Sequence, residues 1–165
     1  MKPDLLKQPS LTLLLVIIVV VAGLDQLTKQ LVAAHLAYGE PLYLLPVLDF
    51  TLLHNYGAAF SFLSSAGGWQ RWFFMGVSIV VSLFFFVWMV RLPVTVWLVR
   101  YSLAFIIAGA IGNLVDRVLL GYVIDFISVH WEHHHFPAFN VADSAITLGA
   151  MLMILDIFLH PENHK

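Results

Sequence analysis

Between Trp72 and Val90 the chain runs nineteen residues without a charge. As a helix rising about 1.5 Å per residue, that run spans roughly 28 Å, enough to cross the hydrocarbon core of a bilayer. Three other apolar stretches have comparable reach. Residues 8–24 carry no charge and lead through Asp25 into a helix expected over about 9–34. The others are expected over about 94–120 and 138–160, beside the clearest one at about 70–90. With 61% hydrophobic and 11% charged residues in 165, and a mean hydropathy of +0.90, the chain is read as one integral membrane domain over residues 1–165. The fold class that follows is an all-α membrane protein with four transmembrane helices, a small extracytoplasmic β-rich segment and a short surface helix.

The first apolar run follows Lys2 and Lys7, as a secretory signal peptide would. It continues into Asp25-Gln-Leu-Thr-Lys29 and more apolar sequence without a convincing small-residue cleavage site, so an uncleaved first span fits better. Counting Lys and Arg at the helix ends puts Lys2, Lys7, Arg91, Arg100 and Lys165 on one side and Arg71 on the other. Both termini are therefore expected in the cytoplasm. The connections 30–70 and 121–138 then face outward, where Trp69, Trp72, Tyr122 and Trp131 form an aromatic margin. A net charge of −2 with no basic block offers no sign of nucleic acid as a partner. The absence of cysteine excludes thiol nucleophiles, disulfides and Cys-ligated metals.

The outer segment over about 38–68 is apolar but broken by Pro41 and Pro46, which a helix would not carry. Its β-branched and aromatic content suits short strands on the bilayer surface. A flexible Tyr56-Gly57-Ala58-Ala59 turn and the surface helix would follow. Such a segment either covers a site or simply packs over helix ends.

Charges inside the apolar pattern are costly, about 3 kcal/mol at a helix centre, so intramembrane carboxylates are functional candidates. Asp125 and Asp143 stand where the third and fourth stretches meet, and two carboxylates together suggest an acid and a base. On helical faces, where residues three and four apart are neighbours, Asp25 pairs with Lys29. That pair serves equally well as an ion pair that offsets two charges near a helix end. Gly109, Asn113 and Arg117 follow at four-residue steps, with Asp116 beside Asn113, making a polar stripe directed into the bundle. Gly109 and Gly112 also suit close helix approach. Asn140 and Asp143 share a face of the fourth helix. Asp156 lies about 20 Å further along and is expected to be a solvated or snorkelling charge at the cytoplasmic end.

The run His130-Trp-Glu-His-His-His135 invites a metal reading, since imidazole is a common zinc ligand. It lacks a helical His-Glu-x-x-His arrangement and is expected in a short exposed loop, decorating the surface or meeting lipid headgroups. His35 and His54 are read as interfacial hydrogen-bonders. No metal ligand set and no cofactor are assigned. No glycine-rich phosphate loop appears, and no serine or threonine has an adjacent intramembrane base whose sequence context suggests a nucleophile.

The strings Asp25-Gln-Leu-Thr-Lys29, Asn55-Tyr-Gly-Ala-Ala-Phe-Ser-Phe62, Gly112-Asn-Leu-Val-Asp-Arg117, Val123-Ile-Asp-Phe126 and Phe139-Asn-Val-Ala-Asp-Ser144 stand together in one order. By them the chain resembles the lipoprotein signal peptidase (signal peptidase II) family of bacterial membrane aspartic endopeptidases, over nearly its whole length. Tyr56, where threonine is frequent, and the histidine run depart from the family pattern. The resemblance implies a catalytic pair at Asp125 and Asp143, with supporting residues at Asp25, Lys29, Asn55, Gly109, Asn113, Arg117 and Asn140. It implies hydrolysis of the peptide bond before a diacylglyceryl-modified cysteine in prolipoprotein substrates. The expected setting is the bacterial cytoplasmic (inner) membrane, the site near the outer face, with membrane lipids as partners and a monomeric enzyme.

Two carboxylates within a few Å would share a proton, one acting as base on water and the other polarising the scissile carbonyl. Asn113 and Asn140 would orient them, Arg117 would hold a carboxylate, a carbonyl or a lipid headgroup, and an apolar groove between helices would take acyl chains. Three other classes fit parts of the pattern. A small proton-coupled transporter would gather its charges near the bilayer midplane. A metal-dependent hydrolase would recruit the histidines. In a purely structural module, neutralising the aspartates would change stability alone.

Overall fold

The computed structural model describes residues 8–57, 69–132 and 134–161. Four helices cross the length of the molecule: α1 (Leu11–His35), α2 (Trp69–Arg91), α3 (Trp97–Leu119) and α4 (Val141–Leu159). All four are long and apolar enough to span a membrane. Four strands lie at one end: β1 (Pro41–Leu45), β2 (Leu48–Asn55), β3 (Val123–Trp131) and β4 (His134–His135).

The helices differ in how much surface they bury. In α2 only Gln70 and Met89 are buried, so nearly the whole cylinder is left to lipid. At the other extreme α3 buries thirteen residues, from Leu98 to Asp116, because α1, α2 and α4 all pack on it. One apolar cluster, with Leu14, Ile18, Met89, Leu103 and Ile107 at its centre, joins α1, α2 and α3. Small residues set the spacing between α3 and α4. A Cβ on Gly109 would overlap the Ala142 carbonyl oxygen, and one on Gly149 would lie 2.7 Å from the Ser102 carbonyl. These two glycines let the backbones touch, as small residues do in membrane bundles. Ser102 Oγ adds a 2.7 Å hydrogen bond to the Gly149 carbonyl.

The sheet is antiparallel in the order β1-β2-β3-β4. Pro41 begins the edge strand, where a missing N–H costs no ladder bond, and Pro46 falls in the turn before β2. The 40–55 stretch is therefore stranded, as its prolines and β-branched residues led one to expect. The 121–138 connection is largely stranded, and the run His130–His135, expected in a short exposed loop, is exposed at its described residues beyond His130 but lies at the end of β3 and on β4. Val123, Ile124, Ile127 and Val129 give the connection the β-branched content of a half-buried strand, and β3 pairs with both β2 and β4. A second apolar cluster of Val32, Leu52, Ile124 and Phe126 seats the sheet on the end of α1.

Two helix starts fall later than the apolar pattern suggested. Pro93 forms a turn closed by Val96 N donating to its carbonyl at 3.1 Å, so α3 begins at Trp97 rather than 94. Asn140 caps α4, which begins at Val141 rather than 138. The surface helix expected before residue 69 lies outside the described residues.

Candidate active site

Asp125 sits on β3 and Asp143 in the first turn of α4, so strand and helix bring together two carboxylates eighteen positions apart. Asp125 is buried on the sheet and Asp143 half-buried at the cavity edge. Asp143 is placed by a capping box: Asn140 Oδ1 accepts from its backbone N at 2.9 Å, and its Oδ2 accepts from Asn140 N at 3.3 Å. A carboxylate in a helix's first turn also meets the positive end of the helix dipole.

Three asparagines aim their amide nitrogens at this pair. Asn55 Nδ2 donates to Asp125 Oδ2 at 2.9 Å, and Asn140 Nδ2 to Asp125 Oδ1 at 2.7 Å. Asn113 Nδ2 donates to Asp143 Oδ1 at 2.8 Å. An amide can flip unless something that only donates fixes its oxygen. For Asn55 that donor is the backbone N of Gly57 at 3.0 Å, and for Asn140 it is the helix-cap N–H of Asp143. Asn113 lies inside α3, where its oxygen accepts from Lys29 Nζ at 3.0 Å.

Behind the pair lies a fully enclosed ionic cluster. Lys29 Nζ is 2.8 Å from Asp25 Oδ2 and 3.0 Å from Asp116 Oδ2, with no exposure of Lys29 or Asp25. Each acid also fastens a neighbouring element. Asp25 Oδ1 accepts from Ala142 N at 2.8 Å, and Asp116 Oδ2 from Ile124 N at 3.0 Å. Gln26 Nε2 bridges them, donating to Asp116 Oδ1 at 2.8 Å and reaching Asp25 Oδ2 at 3.4 Å, and it also donates to the Gly112 carbonyl at 3.0 Å. Gly112 leaves the room this requires, since a Cβ there would lie 2.6 Å from Asp25 Oδ2. The Asp25–Lys29 pair therefore does more than offset two charges near a helix end: it holds α1, α3, β3 and α4 in one arrangement.

Arg117 closes another side. It reaches toward the Asn113 and Gly57 carbonyls at 3.4 Å and lies over the Phe74 ring at 5.2 Å. The outer end of β2, which carries Asn55, is held by a ring stack: His54 lies 4.0 Å from Tyr122 and 4.8 Å from Tyr38 between centroids. Burial lowers the pKa of His54, favouring a neutral packing group. Tyr56, the departure from the usual pattern, lies half-exposed against Tyr122 at 5.3 Å.

The Asp125 carboxyl is pushed up to about 7, first by burial and then by the Asp143 charge beside it. The hydrogen bond from Asn55, the Lys29 charge and the hydrogen bond from Asn140 pull the other way. Both aspartates open onto a cavity of about 600 Å³. Its polar end holds Asn55, Asn113 and Arg117, while Phe136, Phe139, Leu148 and Met151 line an apolar continuation along α4.

All nine candidate residues thus share this region; Gly109 contributes through the helix contact at Ala142, one residue before Asp143. Gln26 was not singled out in the sequence, although a polar side chain in an apolar span beside Asp25 was signal enough. The histidine run, by contrast, stands apart. His130 is half-buried on β3 with Nε2 3.3 Å from Asp49 Oδ2, and its ring lies 5.3 Å from that of His135. Among the described residues no three His, Asp or Glu side chains are grouped to hold a metal ion.

A family model described as Signal peptidase (SPase) II matches residues 17–159. The chain belongs to that family. The lipoprotein signal peptidase of Acinetobacter baumannii is 56% identical over 135 residues, covering 82% of this chain and 77% of that protein. The lipoprotein signal peptidase of Shewanella pealeana is 48% identical over 149 residues, 90% of this chain and 88% of that protein. A solved bacterial membrane enzyme superposes with a TM-score of 0.84 at 31% identity, over 96% of this chain and 95% of that one. The expected signal peptidase II fold, four membrane helices with a small sheet, is therefore borne out, and the chain is a multi-pass protein of a bacterial membrane peptidase family.

Proposed function

We propose that this member of the signal peptidase II family is an aspartic endopeptidase of the bacterial cytoplasmic membrane, cleaving prolipoproteins just before their diacylglyceryl-modified cysteine. The observation that carries the reading is the convergence of Asp125 and Asp143 on one cavity with a polar end and an apolar continuation. Two close carboxylates do not both ionise readily, so the pair holds one proton near neutral pH. A carboxyl pushed up to about 7 at Asp125 supports that state.

In the reaction, the ionised carboxylate takes a proton from water as the water oxygen attacks the scissile carbonyl. The protonated partner donates to the carbonyl oxygen. Collapse of the tetrahedral intermediate breaks the C–N bond: the proton taken from water passes to the departing cysteine amine, and a hydroxyl proton of the intermediate returns to the partner carboxylate as the acid product forms. The apolar continuation along α4 receives acyl chains, while Arg117 lies at the polar end, where a scissile backbone or headgroup oxygen would need a donor. Membrane lipids thus concentrate the substrate beside the site. The enzyme works as a monomer with both termini in the cytoplasm and the sheet end at the outer face. The transporter alternative lacks support, because the polar side chains gather at the sheet end rather than at mid-span.

The test uses purified Asp125→Asn and Asp143→Asn with a diacylglyceryl-modified precursor, and the wild type with and without chelator. Each variant should fold and lose about a thousandfold or more in cleavage rate, and the chelated wild type should cleave normally. Normal cleavage by either folded variant would refute the pair; loss on chelation would favour a metal hydrolase.

A further inference from the structure

The three asparagines at the carboxylate pair are oriented by two different devices. In Asn55 and Asn140 the side-chain oxygen is fixed by a backbone N–H, which can only donate. Asn113 lies in the last third of a continuous helix, where the backbone N–H groups are already bonded within the helix. Its oxygen needs a donor from elsewhere. Lys29 supplies one at 3.0 Å, and an ammonium has donors only. With the oxygen so committed, Nδ2 has no choice but to face Asp143 Oδ1, 2.8 Å away. Were the amide reversed, a carbonyl oxygen would face that carboxylate and an NH₂ would face an ammonium.

Resting on the proposed aspartate pair, we infer that Lys29 is a positioning residue for the reaction: it locks the Asn113 amide so that Asp143 always meets a donor. Asp25 and Asp116 then have a second purpose beside fastening α4 and β3. They make the buried ammonium tolerable and aim it, leaving its third donor for Asn113. Asn140 joins the same oxygen with a 3.2 Å contact while donating to Asp125. The Asn113 oxygen is thus the point at which α1, α3 and the α4 cap agree on one orientation for both carboxylates.

A charge effect and an orientation effect separate in a neutral background. In Asp25→Asn/Asp116→Asn, residue 29 is made Gln or Met. The two are close in size and uncharged, but Gln keeps N–H donors that can turn toward the Asn113 oxygen. Cleavage kinetics on the diacylglyceryl precursor should give a kcat about tenfold or more higher for Gln than for Met, with KM within about twofold. Equal kcat values would overturn the inference. Asp143→Asn is measured alongside: if it cleaves normally, the carboxylate pair itself is wrong, whereas an inactive Asp143→Asn with equal Gln and Met variants condemns the role of Lys29 alone.

Should the Met variant fail to fold, the wild type decides. With ¹⁵N-labelled asparagine in detergent, the Asn113 side-chain amide protons, assigned by their loss in Asn113→Ser, are followed with pH. They should shift with pH in the wild type and stay constant in Asp143→Asn. An amide signal indifferent to both would overturn the inference.

Discussion

Both ends of the helical bundle bury charged side chains, and they do so to different ends. At the sheet end the two acids Asp125 and Asp143 face one cavity and receive neutral amide donors. At the far end Asp156 is 1% exposed with His160 Nδ1 2.8 Å from its Oδ1. Trp97 lies edge-on to His160, and one turn further along α3 Arg100 is buried and donates to the Pro9 carbonyl at 2.8 Å. Those contacts tie the entrance of α1 and the exit of α4 to α3. Burial of charge is costly at either end. What separates the proposed reactive site from a clasp is therefore not the burial but the company: two acids on a cavity at one end, complementary groups closing on each other at the other.

The glycines of the α3–α4 contact put that difference to its hardest trial. Gly109 and Gly149 make equivalent approaches, one against the Ala142 carbonyl and one against the Ser102 carbonyl. Gly109→Ala and Gly149→Ala should each cost about 1–3 kcal/mol in thermal or denaturant unfolding, as overpacking does. Their effects on turnover should diverge. Pushing back Ala142 displaces the first turn of α4 and Asp143 with it, so kcat should fall about a hundredfold in folded Gly109→Ala. Folded Gly149→Ala should keep kcat within about twofold. Equal turnover in the two would mean that the α3–α4 spacing does not set the geometry of the carboxylates.

A smaller effect concerns proton affinity. Asp125 binds its proton more tightly in the fold than in the unfolded chain, so the native state holds more protons between about pH 4 and pH 7. Stability attributable to this group is present in full below about 4 and is lost as pH rises to about 7. In the reaction, deprotonation of the pair gives kcat/KM an alkaline limb beginning near 7. The Asn55 hydrogen bond favours the ionised form, and Asn55→Ala should move that limb to higher pH while lowering kcat/KM roughly tenfold at pH 6. A limb that stays in place in this variant would remove Asn55 from the electrostatics of the pair.

The sequence was informative in proportion to how far each element depends on local pattern. Lipid forces long apolar runs, so the four spans were legible from Trp72–Val90 outward, and the cost of a carboxylate in them marked Asp125 and Asp143. Four-residue steps placed Asn113 and Arg117 on one face of α3. The strand β3 was obscured because the polar run His130–His135 begins at its far end and continues into β4, although Val123, Ile124 and Ile127 carried the β-branched signal. Orientation of the asparagine amides was not legible at all: it is set by contacts between residues as distant as Lys29 and Asn113, which no periodicity encodes. Asp156, expected to be solvated or snorkelling, is buried. A charge near a helix end is normally solvated, and only the fold of His160 and the far helix ends around it reveals its burial.

That burial changes the reason why neutralising Asp156 should spare the reaction. Asp156→Asn keeps an acceptor for His160 and lies about 20 Å along α4 from Asp143, so kcat and KM should both remain within about twofold. The loss should appear in unfolding instead, at about 1–3 kcal/mol, because a charge-assisted hydrogen bond in a buried setting is weakened. Asp156→Leu, which removes the acceptor altogether, should lose more stability and still leave kcat unchanged in the folded fraction. If either folded variant cleaves the precursor markedly more slowly, the two ends of the bundle are mechanically coupled, and the distinction between a reactive end and a clasp fails at α4.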